Sequence, residues 1–387
     1  MKSRLTPYTT FCAKLRQQQL LRHLPHDRKY QYDFSTNDYL GLSQHSALIK
    51  AASDAAQQGV GSKASRLITS TQQALKTLEE NIAHTKNHNG ALLFATGYQA
   101  NLSILSALLD RKVLGHPPLV FADRLNHASM HAGCELAKAK QLRFRHLDYD
   151  HLAWLLNNTR NERRQRFILT ESVFGMDGDV ADLRKVSQLA KQYDALLYVD
   201  EAHATGIFGQ QGYGLTADFG DEIDISMGTF SKALGSSGAY ITCSHALKRY
   251  FVNRSGGLIY STAPSPMQVA TMHTAWSLIP SLQPQAKALL AKAHRLKQAL
   301  QKLGFDVGGS TTHIIPLVLR SAKETLSAQQ SLAKNNIRVS AIRPPSVPID
   351  QSRLRIALTT LHDDEGLSAL LRALTDFVNS FSPFTSD

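Results

Sequence analysis

Residues 195–206 read ALLYVDEAHATG. ALLYV is an unbroken apolar run, the pattern of a strand covered on both faces in a parallel sheet. Asp200 then emerges at the strand's carboxyl end, where a buried carboxylate either finds a cation or takes up a proton. Comparable runs recur between about 90 and 245: ALLF (91–94), PLVFAD (118–123), RFILTES (166–172), DISMGT (224–229) and GAYITC (238–243). Helical patterns separate them. This rhythm of βαβ units predicts an α/β domain, its mostly parallel central sheet flanked by helices on both faces. Such sheets bind ligands at the carboxyl ends of their strands. That rule lines up ATGYQAN, ADRLNHAS, TESVFGMDGD, DEAHATG and GTFSK along one crevice.

Outward from this block the texture changes. Residues 1–45 read as an arm: helical FCAKLRQQQLLRHL (11–24), a break at Pro25, then turn-rich FSTNDYLGLS (34–43). A large domain is expected over 46–282. Beyond it, basic PQAKALLAKAHRLKQALQKLG (284–304) leads into strands HIIPLVL (313–319) and RLRIALTT (353–360) and a last helix. These predict a smaller α+β domain over 283–387. No internal repeat or low-complexity segment occurs.

Composition excludes several classes. At 387 residues, with 43% hydrophobic and 19% charged, the chain reads as globular. No stretch approaches the roughly 20 apolar residues of a membrane helix. The start MKSRLTPYTTF has no signal-peptide apolar core, so a cytoplasmic protein is expected. Cys12, Cys134 and Cys243 are far apart and odd in number, which argues against a disulfide framework or a zinc knuckle. The net charge of +12 raises nucleic-acid binding. Its densest cluster, RNERRQR (160–166), carries no interleaved aromatics and runs into an apolar strand, as a solvated turn would. No nucleic-acid or membrane partner is expected.

The chemistry starts from the cation that Asp200 needs. Magnesium at a DEAH-type helicase strand end would require a phosphate loop G-x-x-x-x-G-K-[ST], which is absent from the sequence. GVGSKAS (59–65) and GQQGYG (209–214) lack a full dinucleotide-binding context. A protonated pyridine nitrogen remains, the arrangement used with pyridoxal phosphate. Lys232, in GTFSKALG, sits among small residues with no acidic neighbour, and an unprotonated lysine is a nucleophile for carbonyl carbon. Thr229 and Ser231 flank it with hydroxyls. Backbone N–H groups around Gly97 and Tyr98, at the start of a helix, suit a phosphate.

His203, three residues past Asp200, is in reach of the same ring, and His127 could stack on its face. His127, His131 and Glu135 at i, i+4, i+8 form a rival zinc pattern. Glu171, Asp177 and Asp179 read as a tight acidic turn. Arg22, Arg343, Arg353 and Arg355 could each grip a carboxylate or serve structure.

Taken together, STNDYLGLS, ATGYQAN, ADRLNHAS, ESVFGMDGD, DEAHATG, GTFSKALG, GLIYSTA, AIRPPSVP and RLRIALT resemble the α-oxoamine synthases, in order along residues 20–360. These are pyridoxal 5′-phosphate enzymes of the fold type I transferases. The resemblance implies that Lys232 binds the cofactor covalently, Asp200 holds the pyridine nitrogen, His127 stacks on the ring and His203 contacts the phenolic oxygen. It further implies that Gly97, Tyr98 and Thr229 hold the cofactor, with Thr262 reaching the phosphate bound by a partner subunit. Gly175 stands at a cofactor-contacting position where the family usually has serine. Arg22 and Ser346 match substrate-contacting positions, with Arg343 beside Ser346, and Asn37 lies in an active-site motif. No metal is implied.

Such enzymes are homodimers with shared active sites. They condense an amino acid with an acyl thioester and release carbon dioxide. AIRPPSVP and the length point to the branch that uses L-alanine and a pimeloyl thioester, carried by coenzyme A or an acyl carrier protein. The rival branches use glycine with succinyl or acetyl thioesters. A second departure is GSKAS, with Lys63 and Ala64, where the family carries G-S-G-G-S.

Overall fold

A computed structural model describes residues 4–24, 28–68 and 73–381; Pro25, where the sequence predicts a break, lies outside them. The chain divides into two compact units. One comprises Asn37–Gly175 and Asp179–Leu289; the other comprises the residues through Thr36, Met176–Gly178 and everything from Leu290.

The first unit is built on strands β1 (Gly90–Phe94), β2 (Leu119–Asp123), β3 (Gln141–Phe144), β4 (Arg166–Glu171), β5 (Ala195–Asp200), β6 (Ile225–Thr229) and β7 (Ala239–Cys243). Among the described residues they form one seven-stranded sheet in the order β1-β7-β6-β5-β4-β2-β3. Only β7 runs against its neighbours. Every residue of β1, β2, β6 and β7 is buried, as their continuous apolar runs demand. Strand β3 escapes the sequence reading. QLRF is short, sits at the sheet edge and keeps only Phe144 buried.

Side chains alternate between two apolar layers. Phe167, Leu169 and Tyr198 enter one with Leu105, Val120 and Met227. Ile168, Leu197 and Val199 enter the other with Phe121, Leu156 and Val186. Each large apolar side chain buried in this way contributes about 1.5–3 kcal/mol.

Two helices carry the strand-end motifs. Helix α1 (Gly97–Leu108) starts where Thr96 Oγ1 accepts from Gln99 N at 3.1 Å. Helix α2 (Ala128–Leu136) is capped by His127. The two pack through Gly133, where a Cβ would stand 2.8 Å from Leu105 Cβ. A larger residue there would push α2 off α1.

The second unit holds the antiparallel strands Ser340–Ile342, Ser352–Ala357 and Ile314–Arg320, in that spatial order, with helices Ala322–Lys334 and Asp364–Phe381. The early chain joins it: Tyr32–Asp33 pairs in parallel with Ile337–Arg338, and Phe34 stacks on His362 at 4.1 Å. The N-terminal helix spans Thr6–Gln17, and Gln19 follows at φ 58, so the predicted helical stretch stops seven residues early. Arg353 is spoken for by an ion pair with Asp177. No helix among the described residues is long and apolar enough to cross a membrane.

Candidate active site

The carboxyl ends of β4, β5 and β6 and the start of α1 enclose a cavity of about 210 Å³. Gly97, Tyr98, His127, Asp200, His203, Thr229 and Lys232 all line it.

Asp200 is the cavity's buried anion, 4% exposed. Asn101 Nδ2 donates to its Oδ2 at 2.8 Å and Ala202 N to its Oδ1 at 2.9 Å. Asn101 is itself fixed, since Tyr198 OH donates to its Oδ1 at 2.6 Å. Both oxygens of the carboxylate therefore accept hydrogen bonds.

Lys232 Nζ lies 2.7 Å from His203 Nε2, and His203 Nδ1 lies 2.8 Å from the Tyr39 hydroxyl. Tyr39 donates to Asn37 Oδ1 at 3.0 Å. Its single proton is thereby used, so His203 Nδ1–H donates to Tyr39 and leaves Nε2 to accept from the amine. Asn37 acts on Lys232 through two intermediaries. Gly175 makes room for this arrangement, because a Cβ there would stand 2.3 Å from His203 Nε2.

On the other wall Thr229 Oγ1 and Ser231 Oγ are 2.8 Å apart, beside the first N–H groups of α1. His127 stands at the mouth, Nδ1 2.6 Å from Ser129 Oγ. Burial pulls the His127 imidazole below its ordinary pKa; Asp200 opposes that pull and Lys232 adds to it.

Glu171 corrects the expectation of a simple acidic turn. It ends β4 in register with Asp200 and enters the cavity, 5% exposed. Burial and the neighbouring Asp200 push its pKa well above the carboxylate range. Asn101, Ser129 and Tyr39 are the residues that sequence reasoning passed over. Asn101 had left a trace, as a polar residue inside the apolar helix run NLSILSALL.

The donor set fits pyridoxal phosphate: a buried carboxylate for a cationic ring nitrogen, an amine for an aldehyde, and hydroxyls with free N–H groups for a phosphate. The zinc pattern does not assemble. His131 Nδ1 lies 2.6 Å from Gln141 Oε1, and among the described residues no cluster of His, Cys, Asp or Glu is placed to hold a metal.

Thr262 does not line the cavity. It is exposed and bridges to Ser65. In the second unit Arg22 Nη2 donates to Ser346 Oγ at 3.1 Å, and Arg343 donates to Gln19 O. Burial lowers the Arg343 pKa, and the nearby Arg22 adds to this. Arg22, Arg343 and Ser346 thus form a cluster with two adjacent cations.

The chain matches the family described as aminotransferase class I and II over residues 29–374. It is 45% identical over 347 residues to the 8-amino-7-oxononanoate synthase of Gluconacetobacter diazotrophicus, covering 89% of this chain and 87% of that protein. It is similar in structure to serine palmitoyltransferase of Sphingomonas wittichii: TM-score 0.90, 25% identity, covering 99% of this chain and 100% of that one. It is also similar to 8-amino-7-oxononanoate synthase of Francisella tularensis: TM-score 0.77, 25% identity, covering 92% and 99%.

Proposed function

The chain belongs to the aminotransferase class I and II family, and from that premise we propose that it is an 8-amino-7-oxononanoate synthase, the acyltransferase of biotin biosynthesis that joins L-alanine to a pimeloyl thioester. The observation that carries this reading is the meeting of Asp200, His203 and Lys232 in one small cavity of a chain whose 45%-identical relative bears that name.

Pyridoxal 5′-phosphate is the cofactor. When bound it supplies an aldehyde for attachment and an electron-withdrawing ring that stabilises negative charge on the substrate's α-carbon. Lys232 is the attachment point and, once its amine is free, the base that takes the α-proton of alanine and later returns one. Asp200, fixed by Asn101 Nδ2 and the Ala202 N–H, would hold the ring nitrogen. His203, oriented by Tyr39, keeps Nε2 toward Lys232 and would contact the phenolic oxygen. Gly97, Tyr98, Thr229 and Ser231 hold the phosphate, and His127 covers the ring. Gly175 contributes space, not a hydroxyl.

Arg22, Arg343 and Ser346 are suited to the free carboxylate of the pimeloyl chain, because two guanidiniums with no acidic partner among the described residues are an anion receptor. We assign the working form as a cytoplasmic homodimer with shared sites, Thr262 serving its partner's phosphate. Alanine and glycine tested against pimeloyl, succinyl and acetyl thioesters, scored by thiol release and product mass, examine the reading directly. Turnover with glycine and a short thioester alone would replace it.

A further inference from the structure

His146 lies outside the cavity yet touches two of the segments that build it. It follows edge strand β3, and each of its ring nitrogens faces a carboxylate. Nδ1 is 2.9 Å from Asp123 Oδ1, and Nε2 is 2.9 Å from Asp179 Oδ2. An ionised carboxylate can only accept, so both nitrogens must donate, which makes the ring an imidazolium. Both oxygens of Asp123 already serve as acceptors, because backbone N–H groups donate to them as well, Leu125 N to Oδ1 at 2.9 Å and Leu147 N to Oδ2 at 3.0 Å. The ring packs edge-on against Phe174 at 4.4 Å.

The two carboxylates belong to different parts of the site. Asp123 ends β2 and begins the loop that carries His127. Asp179 follows the turn whose Gly175 leaves room for His203, and Val173 bridges to Val180 across that turn. We propose that His146 is a positioning residue for the reaction proposed above: a standing imidazolium that fixes the His127 loop and the Gly175 turn to one another, and thereby sets the ring of His203 against Lys232. The role in turnover rests on that functional reading; the clamp does not.

Burial would lower the pKa of His146, but its bonds to Asp123 and Asp179 outweigh this and push it up to about 10. Tyr149, His131 and Glu171 are further titratable groups beside these carboxylates: burial pushes the Tyr149 phenol up to about 12, lowers the His131 pKa and raises that of Glu171. Because the folded value of His146 lies above the unfolded one of about 6.5, its stabilisation is complete below pH 6.5. It declines as pH rises through about 10.

The test uses the full-length protein loaded with pyridoxal phosphate and labelled with ¹⁵N-histidine. At pH 8.5 one histidine should still show both ring nitrogens protonated, and that signal should vanish in His146→Gln. In Asp179→Asn it should move to the neutral form, which identifies it even if the glutamine variant fails to fold. With alanine and pimeloyl thioester, His146→Gln should lose at least tenfold in kcat with each KM within threefold. His146→Arg, a cation able to bridge two carboxylates, should recover most of that loss. The pH midpoint of the bound cofactor's absorbance should shift in the glutamine variant and return with arginine. Absence of a protonated ring at pH 8.5 would overturn the clamp. A protonated ring with unchanged kcat and unchanged absorbance midpoint in His146→Gln would overturn its positioning role. If wild-type protein lacks the synthase reaction, the absorbance midpoint decides the positioning role, and the functional reading fails separately.

Discussion

Asp200 and Glu201 are consecutive buried carboxylates at the end of β5 with opposite surroundings. Glu201 is fully buried and closed in. It pairs with Lys86, itself fully buried, accepts from Tyr240 OH at 3.0 Å and from Thr216 N at 3.2 Å, while Lys86 also donates to Tyr213 O at 2.8 Å. Gly214 leaves the space, since a Cβ there would stand 2.3 Å from Glu201 Oε2. Asp200 receives its two bonds and faces a cavity. The same functional group is spent on structure in one place and held ready for a ligand in the next, and what separates the two is whether a cation is built in.

The sharpest way to break this contrast is to remove the two lysines. Lys232→Ala should lower kcat by up to roughly 10⁴-fold, the upper range for a positioned acid–base group, with little change in melting temperature. Borohydride reduction of wild type should place the pyridoxyl label on Lys232. A label on Lys63 or Lys248 would remove the assignment. Lys86→Met should do the reverse, costing about 3–5 kcal/mol of stability by stranding Glu201 in a dry interior. Adding Glu201→Gln should restore part of that loss in urea melts. If Lys86→Met unfolds at the wild-type urea concentration, the two regions do not differ as described.

Asp200→Asn is the next smaller step. The amide keeps the shape but cannot compensate a cationic ring nitrogen, a loss of about 1.5–3 kcal/mol, or roughly 10- to 150-fold. It should appear as slower deuterium exchange at the α-carbon of alanine with cofactor still bound. Near-normal exchange would refute the role.

The contrast also explains what was legible in the sequence. Strands β1, β2, β4, β5, β6 and β7 announce themselves because a strand buried on both faces must be apolar throughout, and the strand-end rule then leads to Asp200 and Lys232. QLRF was invisible, since an edge strand with one buried residue has no such signature. Glu201 and Lys86 were equally hidden: 115 positions separate them, and nothing in the order of residues says that they meet. Glu171 was misread because it adjoins the turn in sequence while its strand carries it into the cavity. Tyr39 and Asn101 became visible only through their partners. Long-range pairing of polar groups, unlike apolar periodicity, leaves no local mark.

Gly175 sharpens the open side of the comparison. Gly175→Ser must move the His203 ring, because the added Cβ would overlap Nε2. That weakens the Lys232 contact, and one neutral hydrogen bond is worth about 0.5–1.5 kcal/mol. The serine hydroxyl offers the cofactor a contact in exchange. The expected result is a change in kcat of no more than about tenfold and a shifted pH midpoint for the cofactor's absorbance. An unmoved midpoint would mean that His203 does not tune Lys232.

The smallest effect concerns Lys63, a cation with no buried role. It holds φ 66 in the GSKAS loop, a left-handed conformation that favours glycine. Lys63→Gly should therefore raise stability by up to about 1 kcal/mol, whereas Lys63→Ala should not, although both remove the same charge. That pair of variants separates strain from electrostatics. The acyl donor is anionic and the chain carries +12, so part of that charge should act on encounter, screened over a Debye length of about 8 Å at physiological salt. Raising salt should depress kcat/KM for the thioester and leave alanine binding almost unchanged. Both Lys63 variants should flatten that salt dependence equally, by about twofold, because the strain they differ in plays no part in attraction. If only the glycine variant changes the slope, loop conformation and not charge governs the approach of the thioester. If neither does, the positive charge is spread too evenly for Lys63 to matter.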